Sequence, residues 1–227
     1  MLHQLETLIP SAIIATDGEM GKVRDFLFND QSWMVRYLIV DVGTWFFRRA
    51  VVLEITAIDR ADWVGRTLHV HLTRQQVRNC PDVNTEKPVS RQQDIAMKQF
   101  LGLPNVWMET EFGLLYPIPA GREYPVRTKG DPHLRSAWAL AGYQVWTTDG
   151  ELGRLNGFIL EETGWHLDYL DVKSGDWLHR RSVLLPTCWV KSISWGTRRI
   201  NLQQARKNNQ SRCSSGHSIR PFGSFES

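Results

Sequence analysis

The chain has 227 residues, 42% hydrophobic and 22% charged, a composition that excludes a disordered or collagen-like chain and allows one large domain or two small ones. The net charge of +3 is carried by the C-terminal end, where Arg206, Lys207, Arg212 and Arg220 face Glu226 alone. The other 23 basic and 23 acidic residues balance, so the folded part lacks the broad positive field of a nucleic-acid surface.

From the N-terminus the chain reads as short strands. Ser11–Thr16 is an apolar run closed by Asp17-Gly18, a turn pair in which glycine accepts positive φ. Gly21–Asn29 and Trp33–Val42 follow, rich in β-branched and aromatic residues, with Asn29-Asp30-Gln31-Ser32 as the turn between them. Gly43-Thr44 turns the chain into Phe46–Leu53. A brief irregular or single-turn piece around Ile55–Ala61 precedes a last strand, Arg66–Leu72. Five or six short strands without a long helix predict a small closed or nearly closed antiparallel barrel over residues 8–79.

Residues 80–133 read as a connector. Thr73-Arg74-Gln75-Gln76 and Ser90-Arg91-Gln92-Gln93 both fit the capping-box pattern, and the second predicts a helix near 91–101, stopped by Gly102 and Pro104. Trp107, Met108, Phe112, Leu114, Leu115 and Tyr116 form a segment too apolar for a solvated linker. Pro117, Pro119, Gly121, Pro125, Gly130 and Pro132 mark the linker itself.

The first barrel then returns. Thr16-Asp17-Gly18-Glu19-Met20-Gly21 recurs as Thr148-Asp149-Gly150-Glu151-Leu152-Gly153, and the offset of 132 holds without a gap. It pairs Phe26 with Phe158, Trp33 with Trp165, Tyr37-Leu38 with Tyr169-Leu170, Arg48-Arg49 with Arg180-Arg181, and Trp63 with Trp195. A second barrel is therefore expected over 134–205, so the fold class is all-β, two small barrels in tandem joined by a partly helical connector. The copies differ where Arg36 and Ile39 become Asp168 and Asp171; either this position faces water in both copies, or the second barrel has an altered surface there. Residues 206–227, rich in Asn, Ser and Arg, read as a disordered basic tail.

The string Gly21-Lys22-Val23-Arg24-Asp25-Phe26-Leu27-Phe28-Asn29-Asp30, then Trp33-x-Val35-Arg36-Tyr37-Leu38-Ile39-Val40-Asp41, resembles the PRC-barrel family. So do Leu72–Val77, Cys80-Pro81-Asp82, Lys87–Gln92 and Pro104-x-x-Trp107. The resemblance is to the family's stand-alone prokaryotic type, with a second, divergent barrel added. It implies a docking module without catalysis, as in the family's photosynthetic reaction-centre H-subunit and ribosome-maturation members. A photosynthetic role would rest on that resemblance alone, because fold does not establish function.

The residues suggest little chemistry. Asp17 with Glu19, and Asp149 with Glu151, are paired carboxylates, but Asp-Gly builds a tight turn and two carboxylates lack the other ligands a hard cation needs. His69-x-His71 is the one close histidine pair and the sole metal candidate; the other copy has Asn201 and Gln203 there, as an exterior polar face accepts. Cys80, Cys188 and Cys213 are far apart and odd in number, offering neither a disulfide framework nor a redox pair. No apolar run approaches the ~20 residues that span a bilayer, and the first residues lack a signal-peptide pattern. A cytoplasmic protein without cofactor or metal is expected.

The expected role is a non-catalytic protein-binding or scaffolding module that forms a homodimer or docks on a larger complex, including peripherally on a membrane complex. Its contact residues would be Trp45, Arg48, Arg49, Trp107, Phe112, Tyr116, Trp177, Arg180 and Arg181, since arginine and large rings anchor interfaces. The alternative is an RNA- or ribosome-associated factor using the paired arginines and the basic tail.

Overall fold

The computed structural model describes residues 1–43, 49–81, 107–109, 115–117, 133–174 and 181–203. They are mainly strand with a few short helical turns. The helix expected near 91–101 and the tail from 206 lie outside the described residues.

In the first repeat the strands are β2 (Ala12–Ala15), β3 (Gly18–Asn29), β4 (Val35–Asp41), β5 (Ala50–Glu54), β6 (Ile58–Asp62) and β7 (Thr67–Val70). The piece read as irregular or a single turn around Ile55–Ala61 is a 3₁₀ turn at Ile55–Ala57 that runs into a strand, β6. Its sequence hid the strand, because Ile-Asp-Arg-Ala-Asp is largely polar and a register shift interrupts its pairing between Ile58 and Arg60. The strands pair in the order β5-β4-β3-β2-β7-β6, antiparallel except for a parallel contact between β2 and β7. That contact joins the first and last parts of the repeat, so the sheet is mixed where an antiparallel one was expected.

The second repeat has the same plan. Its strands are β11 (Gln144–Thr147), β12 (Gly150–Glu161), β13 (His166–Ser174), β14 (Arg181–Pro186), β15 (Val190–Ser194) and β16 (Arg199–Leu202). They pair as β14-β13-β12-β11-β16-β15, again with one parallel contact, β11 to β16. β3 and β12 are each 12 residues long. Between the repeats lie α1 (Arg74–Arg78), β8 (Trp107–Glu109) antiparallel to β9 (Leu115–Pro117), β10 (Leu134–Ser136) and the short helix α2 (Ala137–Leu140).

Two compact units form, and they do not coincide with the repeats. One takes Ile9–Leu27 and Arg36–Leu134; the other takes Met1–Leu8, Phe28–Val35 and Arg135–Ser227. In the first, Leu27, Tyr37, Ile39, Val52 and Leu134 form a buried cluster against Ala50. In the second, β1 (Leu2–Gln4) pairs antiparallel with β12, setting Leu2, His3 and Gln4 opposite Glu161, Leu160 and Ile159. A 3₁₀ turn follows, with Leu5 and Leu8 fully buried. Phe28 stacks on Trp33 at 5.4 Å and meets Phe158 edge-on at 5.2 Å. The backbone of Trp33–Val35 is held there by Leu167 N–H to the Trp33 carbonyl, 2.8 Å, and Val35 N–H to the Trp165 carbonyl, 2.9 Å. Burying each such ring or aliphatic chain contributes about 1.5–3 kcal/mol.

Candidate binding surface

Most of the predicted contact residues, Trp45, Arg48, Phe112, Trp177 and Arg180, lie outside the described residues. Trp107 and Tyr116 lie in β8 and β9, and Arg181 opens β14, but their side chains are outside the description. Arg49 is described and half-buried, and its Nη2 donates to the Cys80 carbonyl at 3.4 Å. That bond ties Arg49 to the end of the first repeat.

The acidic pairs are turn residues. Asp17 Oδ1 accepts from the Arg74 N–H at 2.6 Å, tying the β2–β3 turn to the first turn of α1. Asp149 Oδ1 accepts from Thr147 Oγ1 at 2.5 Å. Glu19 and Glu151 are exposed. A surface hollow of about 350 Å³ is lined by Asp17, Arg74, Gln75, Arg78 and Asn79.

His69 and His71 are not drawn together into a metal cage. His69 Nε2 lies 3.1 Å from Arg60 Nη2, and a guanidinium in that place blocks the lone pair a metal would use. His71 is exposed. Among the described residues no three His, Cys, Asp or Glu side chains gather as metal ligands.

The cysteines depart from expectation. Cys188 is disulfide-bonded, whereas the spacing of the cysteines was read as offering no disulfide framework. Cys80 is free and buried; burial pushes its thiol up to about 11 against the opposing pull of Arg49. A thiol so placed is a core side chain and a poor nucleophile.

Asp171 is neither solvent-facing nor part of an altered surface. It is buried, as Ile39 is in the other repeat. Its carboxylate accepts from Asn156 Nδ2 at 2.6 Å and from Ser182 Oγ. At the equivalent places the first repeat has the charged Arg24, and Ala50 packed against the apolar cluster that holds Ile39. The second repeat thus puts a polar pair, Asp171 and Ser182, where the first has an apolar one.

The surface that sequence reading missed lies at the β15–β16 turn. Trp195 is 44% exposed, more than a ring of its size usually is. Its ring meets Tyr143 edge-on at 5.8 Å. The Arg135 guanidinium lies 5.6 Å from the Trp195 ring centre, and that of Arg198 lies 5.4 Å from the Tyr143 ring centre. Beside them Arg199 stacks on Trp146 at 4.4 Å. Arg135 is anchored in turn by Asp30, its Nε 2.6 Å from Oδ2. Burial raises the Tyr143 hydroxyl above its ordinary value, with Arg198 and Arg135 pulling the other way. Arg198 holds positive φ, 49°, which turns the backbone sharply into β16. The sequence signal was the pairing of Trp63 with Trp195 across the repeat: one of the two is half-buried and the other exposed.

Fold and surface together define a tandem of small mixed-sheet barrels with arginine and aromatic side chains stacked at a turn. The PRC-barrel domain model matches residues 3–77, so that stretch is similar to this family. No curated protein matches the chain. Among solved structures it is similar to the crystal structure of a putative 16S ribosomal RNA processing protein, RimM, from Pseudomonas aeruginosa. Identity is 18% over 90% of this chain and 98% of that one, with a TM-score of 0.26. Among the described residues, no helix is long and apolar enough to cross a membrane.

Proposed function

We propose that the chain is a non-catalytic docking module that holds a protein partner through the surface around Trp195. The observation that carries this reading is an exposed indole set in arginine and tyrosine side chains that are themselves fixed by stacking. Tryptophan, tyrosine and arginine are the residues that dominate binding energy at protein interfaces, and a pre-ordered anchor loses little entropy when it docks. A second copy of the chain is the simplest partner.

A second reading follows from the same stack. Guanidinium groups beside an exposed ring also suit single-stranded RNA, whose bases stack on such surfaces. Against it stands the neutral charge of everything before residue 205, because RNA binding draws on phosphate neutralisation and weakens steeply with salt.

Immobilised protein and its Trp195→Ala variant, exposed to extract of the native cell with and without ribonuclease, separate the readings. The docking reading expects a partner retained through ribonuclease and moderate salt, weakened at least tenfold by Trp195→Ala and unchanged by Trp63→Ala. Sedimentation of the purified chain tests self-association. Binding lost to ribonuclease, or falling steeply with salt, establishes the RNA reading. Capture indifferent to Trp195 removes both.

A further inference from the structure

The opening segment of the chain is fastened to the second barrel by a half-buried acid, Glu6. β1 lies along the outer half of β12, with the Glu162 N–H donating to the Met1 carbonyl at 3.0 Å. One turn later the Glu6 carboxylate reaches into β12 and accepts from the Phe158 N–H at 3.0 Å. It fits because residue 157 is glycine: a Cβ there would stand 2.2 Å from Glu6 Cδ and 2.4 Å or less from both carboxylate oxygens. The missing side chain at 157 gives the Glu6 carboxylate its room, a notch beside β12.

The charged surroundings favour a neutral acid. The buried Asp171 of β13 is near enough to act electrostatically on Glu6, and its own partners from β12 and β14, Asn156 and Ser182, are neutral. The other titratable groups along the segment pair with one another nearer the surface. His3 Nε2 lies 3.2 Å from Glu162 Oε2, and the Met1 amino group 3.9 Å from Glu161 Oε1. No cation among the described pairs is aimed at Glu6.

We propose that Met1–Leu8 is a proton-controlled clip, holding the second barrel tightly while the Glu6 carboxyl is protonated and loosening when it ionises. This rests on the notch and the strand pairing, and is independent of what docks at Trp195. Burial, chiefly, with a smaller push from Asp171, raises the Glu6 carboxyl to about 7, against the two backbone N–H groups that favour its charge. A group whose folded value is raised gives its stabilisation in full below the unfolded value and loses it as pH climbs to the folded value. The clip is therefore tightest near pH 4.5, the ordinary value of the freed carboxyl, and weakens up to about pH 7, where the effect levels off.

Hydrogen exchange of the β1 and β12 amides, corrected for the intrinsic rate, measures opening directly. In the full chain, opening of the Phe158 and Leu160 amides should rise about tenfold per pH unit from 5 to 6.5 and flatten above 7. Glu6→Gln keeps the shape and an acceptor but cannot ionise, so its opening should be flat with pH. His3→Gln, which removes the neighbouring pair, should leave the slope in place. A flat wild-type profile overturns the proposal. So does a Glu6→Gln profile as steep as wild type, or a slope abolished by His3→Gln alone.

Discussion

Two glycines show how a single hydrogen in place of a methyl group decides the path of a strand. A Cβ at Gly21, where φ is 87°, would lie 2.1 Å from the Asp41 carbonyl oxygen; at Gly153 it would lie 2.2 Å from that of Lys173. The atom in the way is backbone in both cases, so no side chain can turn aside. Gly21→Ala should cost more than about 3 kcal/mol of stability in urea unfolding; a loss under 1 kcal/mol would mean that β3 can shift away from β4. Both glycines are legible in the repeated Thr-Asp-Gly-Glu-x-Gly. Other residue-scale features were not legible. Trp33, Arg66, Trp165 and Arg198 all hold positive φ, where propensity predicts glycine or asparagine. The turn is held by other groups, since Asn29 Oδ1 accepts from the Gln31 and Ser32 N–H groups, and Glu161 from those of Thr163 and Gly164. Packing and hydrogen bonding set a backbone angle that residue type alone would not choose.

At the scale of elements, short helical turns finish what the strands begin. The capping box at Thr73 forms as its sequence predicts: Thr73 Oγ1 accepts from the Gln76 N–H at 3.2 Å, and Gln76 Oε1 accepts from the Thr73 N–H at 2.8 Å. α1 has five residues, too few to stand alone in water, so the box, Asp17 and the buried Val77 must hold it. Its C-terminal end leads into Cys80 and Pro81, where the Pro81 carbonyl accepts from the Val52 N–H at 3.1 Å and covers part of the β5 edge. Thr73→Ala should cost about 1 kcal/mol and raise exchange at the Val52 amide at least fivefold. If exchange there stays unchanged, the edge is protected without the helix. The box was readable because its chemistry is local. The pairing of β1 with β12 was not, because three residues, Leu-His-Gln, carry no period and their partner lies far along the chain.

Across the whole molecule, the repeat presents two solutions to one problem. In the first repeat the Phe26 N–H is met by the Asp25 carboxylate of the same strand, 2.7 Å away. In the second repeat the corresponding Phe158 N–H is met by Glu6, and the position of Asp25 is taken by Gly157. The sequence displayed the Asp-to-Gly difference, but only the arrangement of chain segments shows that an acid from the opening segment replaces it. If the two solutions are equivalent, they can be exchanged. Glu6→Ala alone should destabilise the second barrel by about 1–3 kcal/mol by leaving the Phe158 N–H unmet. Gly157→Asp alone should cost more, because its side chain enters the space of Glu6 and buries a second carboxylate beside it. Combined, the two changes remove that clash and restore a carboxylate to the Phe158 N–H. The double variant should therefore be more stable than the sum of the single losses by about 1–3 kcal/mol, with opening of the β12 amides no longer tied to pH between 5 and 7. Strict additivity in that cycle would show that the notch and the acid are unrelated, and that the match between Gly157 and Glu6 has no energetic meaning.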